Sequence, residues 1–140
     1  MKKTTEATKA SQIKRDWHLI NLKDKILGRE SVAIAHFLMG KSKPYFVRNL
    51  DCGDNVVVVN AKFVKVTGKK ETDKKYYRHS GYPGGFKVRT FKELMETKPE
   101  EIIRHAVRGM LPQTRLRDRM LTRLFVFEDD NHPYADKIKG

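Results

Sequence analysis

Short apolar runs bounded by charged or turn-forming residues predict the strands of a sheet. Four consecutive valines at 56–59 do not alternate with polar residues, which is typical of a parallel strand covered on both faces. The other apolar runs are of similar length and predict further strands. The predicted strands span residues 17–20, 56–59, 64–67 and 124–127.

A longer apolar segment at residues 30–39 predicts a buried helix. Apolar side chains surround it almost completely, with His36 as the main interruption, so the helix should be covered on most sides. Ser31 is a candidate N-cap, and Gly40 is well placed to end the helix. The segment also contains β-branched residues, which makes a strand the alternative, but its ten-residue length favours a helix.

Two capping boxes predict two further helices in series. Residues 90–93 (TFKE) and 97–100 (TKPE) each place Thr three positions before Glu, so that the two side chains can satisfy the first amides of a helix. The predicted helices span residues 91–96 and 99–108. In the second helix five apolar residues form one stripe that should be buried. They are Ile102, Ile103, Ala106, Val107 and Met110.

Strands that alternate with helices predict an α/β layered domain with a largely parallel sheet. Arginine alternates with leucine and methionine at 114–123, which predicts a short helix or turn with its arginines pointing outward. The polar segment after the last strand is expected to be coil. We expect one domain at residues 16–134, between a flexible basic tail at 1–15 and a short C-terminal tail at 135–140.

Positive charge is concentrated in three parts of the chain. The 140 residues carry a formal net charge of +13. Net charges of +4, +5 and +5 fall on residues 1–15, 66–89 and 104–123, so the rest of the chain is close to neutral. Clustering of positive charge favours a surface that binds a polyanion over a role of the charge in keeping the protein soluble.

The stretch at residues 66–89 combines the residue types that suit contact with RNA. It contains seven lysines or arginines, four glycines, three tyrosines and one phenylalanine. Cations attract phosphates, rings stack on unpaired bases, and glycines let a ligand come close to the backbone. A solvated charged loop is the alternative for the lysines, and a place in the core is the alternative for the tyrosines. We interpret this loop as the main nucleic-acid contact, with the six arginines of residues 104–123 as a second one.

Several other kinds of site are disfavoured. Cys52 is the only cysteine, so the chain has no intramolecular disulfide, and its five histidines lack the spacing of metal ligands. No apolar run approaches the roughly 20 residues that a membrane-spanning helix needs. The pair Gly68-Lys69 does not complete a phosphate-binding loop, because Phe63 occupies the position of the required upstream glycine. We therefore expect no metal, no cofactor, no small-molecule substrate and no membrane contact.

Two alternative functions remain open. An RNA-processing enzyme would use His79 with Tyr77 or a lysine as acid–base groups, although the nearest acidic residue in sequence is Asp73. A sequence-tolerant DNA-binding protein would use the same basic segments, although the sequence carries no helix-turn-helix signature.

Short motifs follow one another in a characteristic order along residues 16–134. The most specific are HSGYPGG at 79–85 and GMLP at 109–112. The others are Trp17, Leu27-Gly28-Arg29, Gly40-Lys41-x-Lys43, Gly53-Asp54, Asn60-Ala61, Val66-Thr67-Gly68, Lys74-x-Tyr76-Tyr77, Pro99-Glu100, Val107-x-Gly109 and His132-Pro133. Because it carries these motifs in this order, the chain resembles the bacterial large-subunit ribosomal protein thirteen family.

The resemblance implies a three-layer α/β/α fold with a central, largely parallel four-stranded sheet. It implies a structural protein without enzymatic activity that binds large-subunit ribosomal RNA early in assembly. The implied partners are this RNA and neighbouring ribosomal proteins. The implied location is the large ribosomal subunit in the cytoplasm, in preference to an organellar ribosome.

The candidate RNA-binding residues are basic side chains, one histidine and three tyrosines that can stack on bases. Adjacent residues of a strand face opposite sides, so one of the neighbouring tyrosines at 76 and 77 could belong to the core, and which one is left open. The candidates are Lys41, Lys43, Lys69, Lys70, Lys74, Lys75, Tyr76, Tyr77, Arg78, His79, Tyr82, Lys87, Arg108, Arg115 and Arg117.

Overall fold

Helices and strands alternate along much of the chain. The computed structural model describes residues 9–47, 49–66, 74–79, 81, 83 and 86–138. The strands are β1 (Trp17–Asn21), β2 (Asn55–Val59), β3 (Lys75–His79), β4 (Phe86–Thr90) and β5 (Leu124–Val126). The α-helices are α1 (Leu27–Met39), α2 (Phe91–Thr97), α3 (Pro99–Met110), α4 (Leu116–Thr122) and α5 (Ala135–Ile138). Two short 3-10 helices in the described residues span Ala10–Gln12 and Ala61–Phe63.

A parallel sheet forms the centre of the domain. Its order is β1–β2–β5, and the register aligns Leu19 with Val57 and Val57 with Phe125. The α/β class with a parallel sheet is therefore confirmed. The described residues give this sheet three strands, and the fourth predicted strand, at 64–67, contributes a single parallel bridge between Lys65 and Ile26. A four-stranded sheet is thus not confirmed.

Both faces of β2 are covered, as its unbroken run of valines predicts. Val56 and Val58 face the main core, which is built with α1 and α3. Val57 is completely buried on the opposite face, where Phe125 of the neighbouring strand lies beside it. On that face the rings of Trp17 and Tyr134 stack with centroids 5.2 Å apart, so much of the second face is covered by the C-terminal segment.

A local capping signal explains where α1 ends, whereas the start of α1 differs from the prediction. Gly40 ends the helix in the left-handed region at φ 80°, as predicted. Ser31 does not cap the helix, because the helix begins one turn earlier, at Leu27. The Ser31 hydroxyl instead donates a 2.7 Å hydrogen bond to the Leu27 carbonyl and is buried.

Helix α3 starts at Pro99 as predicted, but its buried stripe is shorter than predicted. Pro99 occupies the first turn of α3, and Ile102, Ile103 and Val107 are buried. Ala106 is half-buried, whereas Met110 is 40% exposed near the end of the helix. The stripe therefore ends one turn earlier than the apolar spacing predicts.

The basic stretch contains a β-hairpin, not only a loop. Strands β3 and β4 pair antiparallel, with Tyr77 opposite Val88 and Tyr76 opposite Arg89. The pairing places Tyr76 and Tyr77 on opposite faces of the hairpin. Helix α2 starts directly after β4 and packs against α3, so the hairpin lies beside the domain as a separate two-stranded sheet.

Both ends of the described chain contact the domain. Near the N-terminus, Arg15 donates to the carbonyl of Gly53 at 2.6 Å, and the Lys14 amide donates to the Tyr45 hydroxyl. At the other end, where coil was expected, α5 packs against β1, and the Lys137 Nζ lies 5.1 Å from the centroid of the Trp17 ring. Among the helices described, none has both the length and the apolar character to cross a membrane.

Candidate nucleic-acid interface

The hairpin and the outer side of α3 form one continuous cationic surface. The ring of Tyr76 meets His105 edge-on at 5.0 Å between centroids, which joins β3 to α3. The Lys74 Nζ lies 5.5 Å from the centroid of the Tyr76 ring, within the range of a cation–π contact. We call this surface the hairpin face. It comprises the cavity-lining residues Lys74, Tyr76, Tyr77, Arg89, Arg104, His105 and Arg108, together with the exposed Lys75 at the start of β3.

Strand alternation gives the two tyrosines of the hairpin face different surroundings. Tyr76 is half-buried against α3, and this burial raises the pKa of its phenol above the ordinary value. Tyr77 is 66% exposed, so most of its surface faces solvent. Tyr76 therefore holds the hairpin to the domain, whereas Tyr77 presents an aromatic face outward.

Two cavities lie along the hairpin face. The first, of about 580 Å³, lies between the start of α1 and the end of α3, and Arg29, Lys74 and His105 line it. The second, of about 650 Å³, lies between the hairpin and the opposite side of α3, and Arg89 and Arg104 line it. His105 lines both, so the two cavities flank one ridge. A strand of nucleic acid laid along this ridge would meet cations on both sides.

The charge of the hairpin face is strongly unbalanced. In the second cavity the lining cations are Arg89, Lys98, Arg104 and Arg108, and Glu101 is the one acidic side chain among the described lining residues. Glu101 lies 3.8 Å from the Lys98 Nζ, so its charge is already paired. Among the described residues, no acidic side chain forms an ion pair with any of these three arginines, and a phosphate would supply the counter-charge.

The titration of His105 reflects the same excess of charge. Desolvation lowers the pKa of His105 first, and the nearby cations Lys74 and Arg108 lower it further. The lowered pKa favours the neutral ring, in which one nitrogen can donate and the other accept a hydrogen bond.

Lys43, a predicted contact residue, forms part of a largely buried ionic cluster. Its Nζ lies 2.7 Å from Asp54 Oδ1 and donates to the Lys14 carbonyl at 2.7 Å. Partial burial opposes the charged form, but the hydrogen bonds to Asp54 and Tyr45 raise the pKa of Lys43 overall. The lysine therefore ties the N-terminal residues to the segment before β2.

Asp54 is the centre of this cluster. It is almost completely buried and accepts hydrogen bonds from the His18 ring at 2.8 Å and from the Asp16 amide at 3.0 Å. Burial opposes ionisation of the carboxyl, but the hydrogen bonds from Lys43, Asp16 and His18 lower its pKa overall. The cluster is a structural anchor at the start of the first two strands.

Arg123 belongs to the same region, and the prediction that it points outward is wrong. Its side chain is buried and donates to the carbonyls of Asp54 at 3.0 Å and Leu38 at 3.1 Å, and it pairs with Asp51. Burial lowers its pKa, which the charge of Asp51 partly restores. Arg123 follows the last turn of α4, where the chain turns inward to enter β5, and its side chain is carried into the interior.

The structure brings some of the predicted contact residues together and not others. Lys74, Lys75, Tyr76, Tyr77 and Arg108 lie on the hairpin face. Lys41 and Arg115 are exposed and Arg117 is half-buried, and none of these three lines either cavity. Arg78, His79 and Lys87 belong to the strands of the hairpin by their backbone. Residues 69, 70 and 82 lie outside the described part of the chain.

The two cavities are also lined by residues that were not among the predicted contacts. They include Arg29, Arg89 and His105. Arg104 was predicted only as one of the six arginines of the second contact, and it lies four residues before Arg108 on the side of α3 opposite its buried stripe. Across the described residues, no group of histidine, cysteine and acidic side chains is arranged to hold a metal ion.

These features define a class: a basic α/β protein with one surface of cationic and aromatic side chains. The family model described as Ribosomal protein L13 matches residues 15–133. The chain belongs to the ribosomal protein L13 family.

Relatives that share most of their length with this chain support the assignment. The Large ribosomal subunit protein uL13 of Dehalococcoides mccartyi is 51% identical over 95% of this chain and 93% of its own length. The protein of the same name from Nautilia profundicola is 45% identical over 99% of both chains, and that from Aquifex aeolicus is 49% identical over 93% of this chain and 90% of its own. These names are those of ribosomal proteins and not of enzymes, in agreement with the predicted absence of enzymatic activity.

Proposed function

We propose that this protein is a structural component of the large ribosomal subunit that binds ribosomal RNA through the hairpin face and supports early assembly of the subunit. Membership of the family and the names of its relatives support the ribosomal role. The observation that carries the RNA-binding role is the joining of a basic hairpin to the arginine-bearing side of α3 at Tyr76 and His105.

The proposed mechanism is electrostatic and geometric. Cations of the hairpin face neutralise phosphates where RNA segments converge, and the release of condensed counterions favours binding. The exposed ring of Tyr77 stacks on an unpaired base. The parallel sheet and the helices packed on it hold these groups at fixed positions, so that the protein fixes the relative positions of the RNA segments.

The proposed contact residues fall into two sets. Those on the described hairpin face have the stronger support, because they adjoin one another. Arg29, which lines the first cavity beside them, is added to this set. The set taken from the sequence alone consists of Lys41, Lys43, Lys69, Lys70, Arg78, His79, Tyr82, Lys87, Arg115 and Arg117. Within this set Lys43 has the least support, because Asp54 already pairs with its charge.

Two finer features of the architecture are part of the proposal. We propose that the sheet gains a fourth strand from residues 64–67, starting at the Lys65–Ile26 bridge, in a three-layer α/β/α fold. We also propose one domain at residues 16–134 with tails at 1–15 and 135–140. Limited proteolysis followed by mass spectrometry tests these boundaries, and a stable fragment that ends well inside 16–134 would contradict them.

The proposed partners are large-subunit ribosomal RNA and neighbouring proteins of that subunit, and the proposed location is the cytoplasmic ribosome. The test is sedimentation of a tagged copy expressed in a bacterium through a sucrose gradient. The protein should travel with large subunits and remain there after a high-salt wash. Recovery only in ribosome-free fractions would contradict the proposal.

A matched pair of variants makes that test specific to the hairpin face. Lys74→Ala with Lys75→Ala should shift protein from large subunits into the ribosome-free fractions. Lys62→Ala with Lys65→Ala removes the same charge from exposed lysines that pair with Asp129 and Asp24 and line neither cavity, and it should leave sedimentation unchanged. Equal release of both variants would show that only the overall charge matters.

A further inference from the structure

Two glycines line the first cavity from opposite sides. Gly28 lies in the first turn of α1, and Gly109 lies in the last turn of α3. A Cβ atom added at either position would have no described heavy atom within 4 Å. By contrast, a Cβ on Gly40 would collide with the backbone of Cys52, and one on Gly53 would collide with the backbone of Leu38. The fold therefore has a packing reason for Gly40 and Gly53, but the described residues give none for Gly28 or Gly109.

Backbone conformation does not account for these two glycines either. Positive φ angles among the described glycines occur at Gly40 and Gly81, and not at Gly28 or Gly109. Alanine fits an ordinary helical conformation and stabilises it relative to glycine, because glycine loses more backbone freedom on folding. Both helices would be more stable with alanine at these positions. The stability of the described fold therefore does not explain why glycine occupies positions 28 and 109.

The cavity between the glycines has the chemistry of a site for a sugar–phosphate chain. Arg29, Lys74 and His105 line it, and no acidic side chain is among its described lining residues. Apolar groups complete its wall, including Ala106 and the exposed Met110. Cations suit the phosphates, and apolar surface suits the carbon edge of a ribose. Bare helix backbone at the two glycines leaves the room that such a chain needs.

We propose that this cavity seats the sugar–phosphate backbone of an RNA segment, and that Gly28 and Gly109 are kept free of side chains to admit it. The proposal rests on the proposed function and adds a specific seat to it. RNA enters between α1 and α3, its phosphates pair with Arg29 and Lys74, and its backbone passes close to both glycines. The glycines then serve binding at a cost to the stability of the free protein.

Replacing each glycine by alanine and by leucine separates binding from folding. Gly28→Ala and Gly109→Ala should each raise the melting temperature by about 1–4 °C. The same changes should weaken binding to a transcript of bacterial large-subunit RNA, and the leucine variants should weaken it further, by about ten-fold or more. Thermal unfolding and filter-binding titration at one fixed salt concentration give the two readouts.

The control is Val32→Leu, which adds bulk to an exposed position of α1 that lines neither cavity, and it should bind as the wild type does. Gly variants that melt lower in order of side-chain size would overturn the proposal, because the glycines would then serve the fold. So would stable variants that bind the transcript as tightly as the wild type. If the wild type itself does not bind the transcript, the proposed RNA-binding function fails together with the proposal for the cavity. If the wild type binds and the glycine variants bind equally well, only the proposal for the cavity fails.

Discussion

At the scale of single residues, Tyr76 and Tyr77 show how one adjacent pair is divided between fold and surface. Their strand turns one ring toward His105 of α3 and the other toward solvent. The sequence left open which tyrosine would belong to the core, because both have the same neighbours in charge and type. The antiparallel pairing with β4 and the contact with α3 decide it.

We predict opposite effects for the two tyrosine variants. Tyr76→Ala should cost about 1–3 kcal/mol of unfolding free energy, since it removes a half-buried ring. Tyr77→Ala should change the unfolding free energy by less than about 0.5 kcal/mol but weaken RNA binding about ten-fold, the value of one stacked base. Urea unfolding and RNA titration measure the two effects. A Tyr77 variant that binds RNA normally would contradict its role in stacking.

Arg123 shows the reverse case, in which a residue expected at the surface is structural. Removing its side chain would leave Asp51 with only the more distant Arg15, at 3.8 Å, as a cationic partner, and would leave two carbonyls without the donor that Arg123 supplies. We predict that Arg123→Ala costs about 3–5 kcal/mol of unfolding free energy. Arg119→Ala, at an exposed position of the neighbouring helix, should cost less than about 0.5 kcal/mol. Equal unfolding curves for the two variants would contradict the anchoring role.

At the scale of elements, the two predicted capping boxes have different outcomes. The Thr90 hydroxyl accepts from the Glu93 amide at 3.3 Å and caps α2 as predicted. The Thr97 hydroxyl instead donates to the carbonyl of Glu93 at 2.9 Å, and Lys98 is the residue that precedes α3. The same four-residue pattern therefore produces one cap and one bond within the preceding helix.

This difference gives a prediction for helix stability. Thr90→Ala should cost about 1 kcal/mol of unfolding free energy, the usual value of a lost N-cap. Thr97→Ala should cost clearly less, because its hydroxyl satisfies no amide at the start of α3. Chemical unfolding of both variants under one condition measures the difference. A larger loss for Thr97→Ala would show that the box at residues 97–100 caps α3 after all.

Local signals explain which elements could be predicted. The end of α1 at Gly40, the start of α3 at Pro99 and the burial of the valines in β2 depend on a few adjacent residues. The hairpin was missed, because charged residues and glycines obscure its alternation and its pairing is set by the partner strand. The burial of Arg123 was missed, because its partners Asp51 and Leu38 are 72 and 85 residues away in sequence.

At the scale of the whole molecule, the three basic segments have different structural roles. Lysines and arginines at the hairpin and on α3 meet on one face, which the charge distribution predicted in outline. In the described part of the N-terminal segment, Arg15 is bonded to the backbone of Asp51 and Gly53 instead. The sequence could locate the charge, but only the packing of α3 against the hairpin shows which cations share a surface.

The proposed function requires that the hairpin face bind ribosomal RNA through the phosphates of that RNA. The most direct measurement is the dependence of the RNA-binding constant on salt concentration, for the wild type and for Lys74→Ala with Lys75→Ala. The logarithmic slope should become less steep by up to about 1.4–1.8, equivalent to two lost phosphate contacts, and the Lys62→Ala with Lys65→Ala control should keep the wild-type slope. An unchanged slope for Lys74→Ala with Lys75→Ala would contradict phosphate binding by the hairpin face.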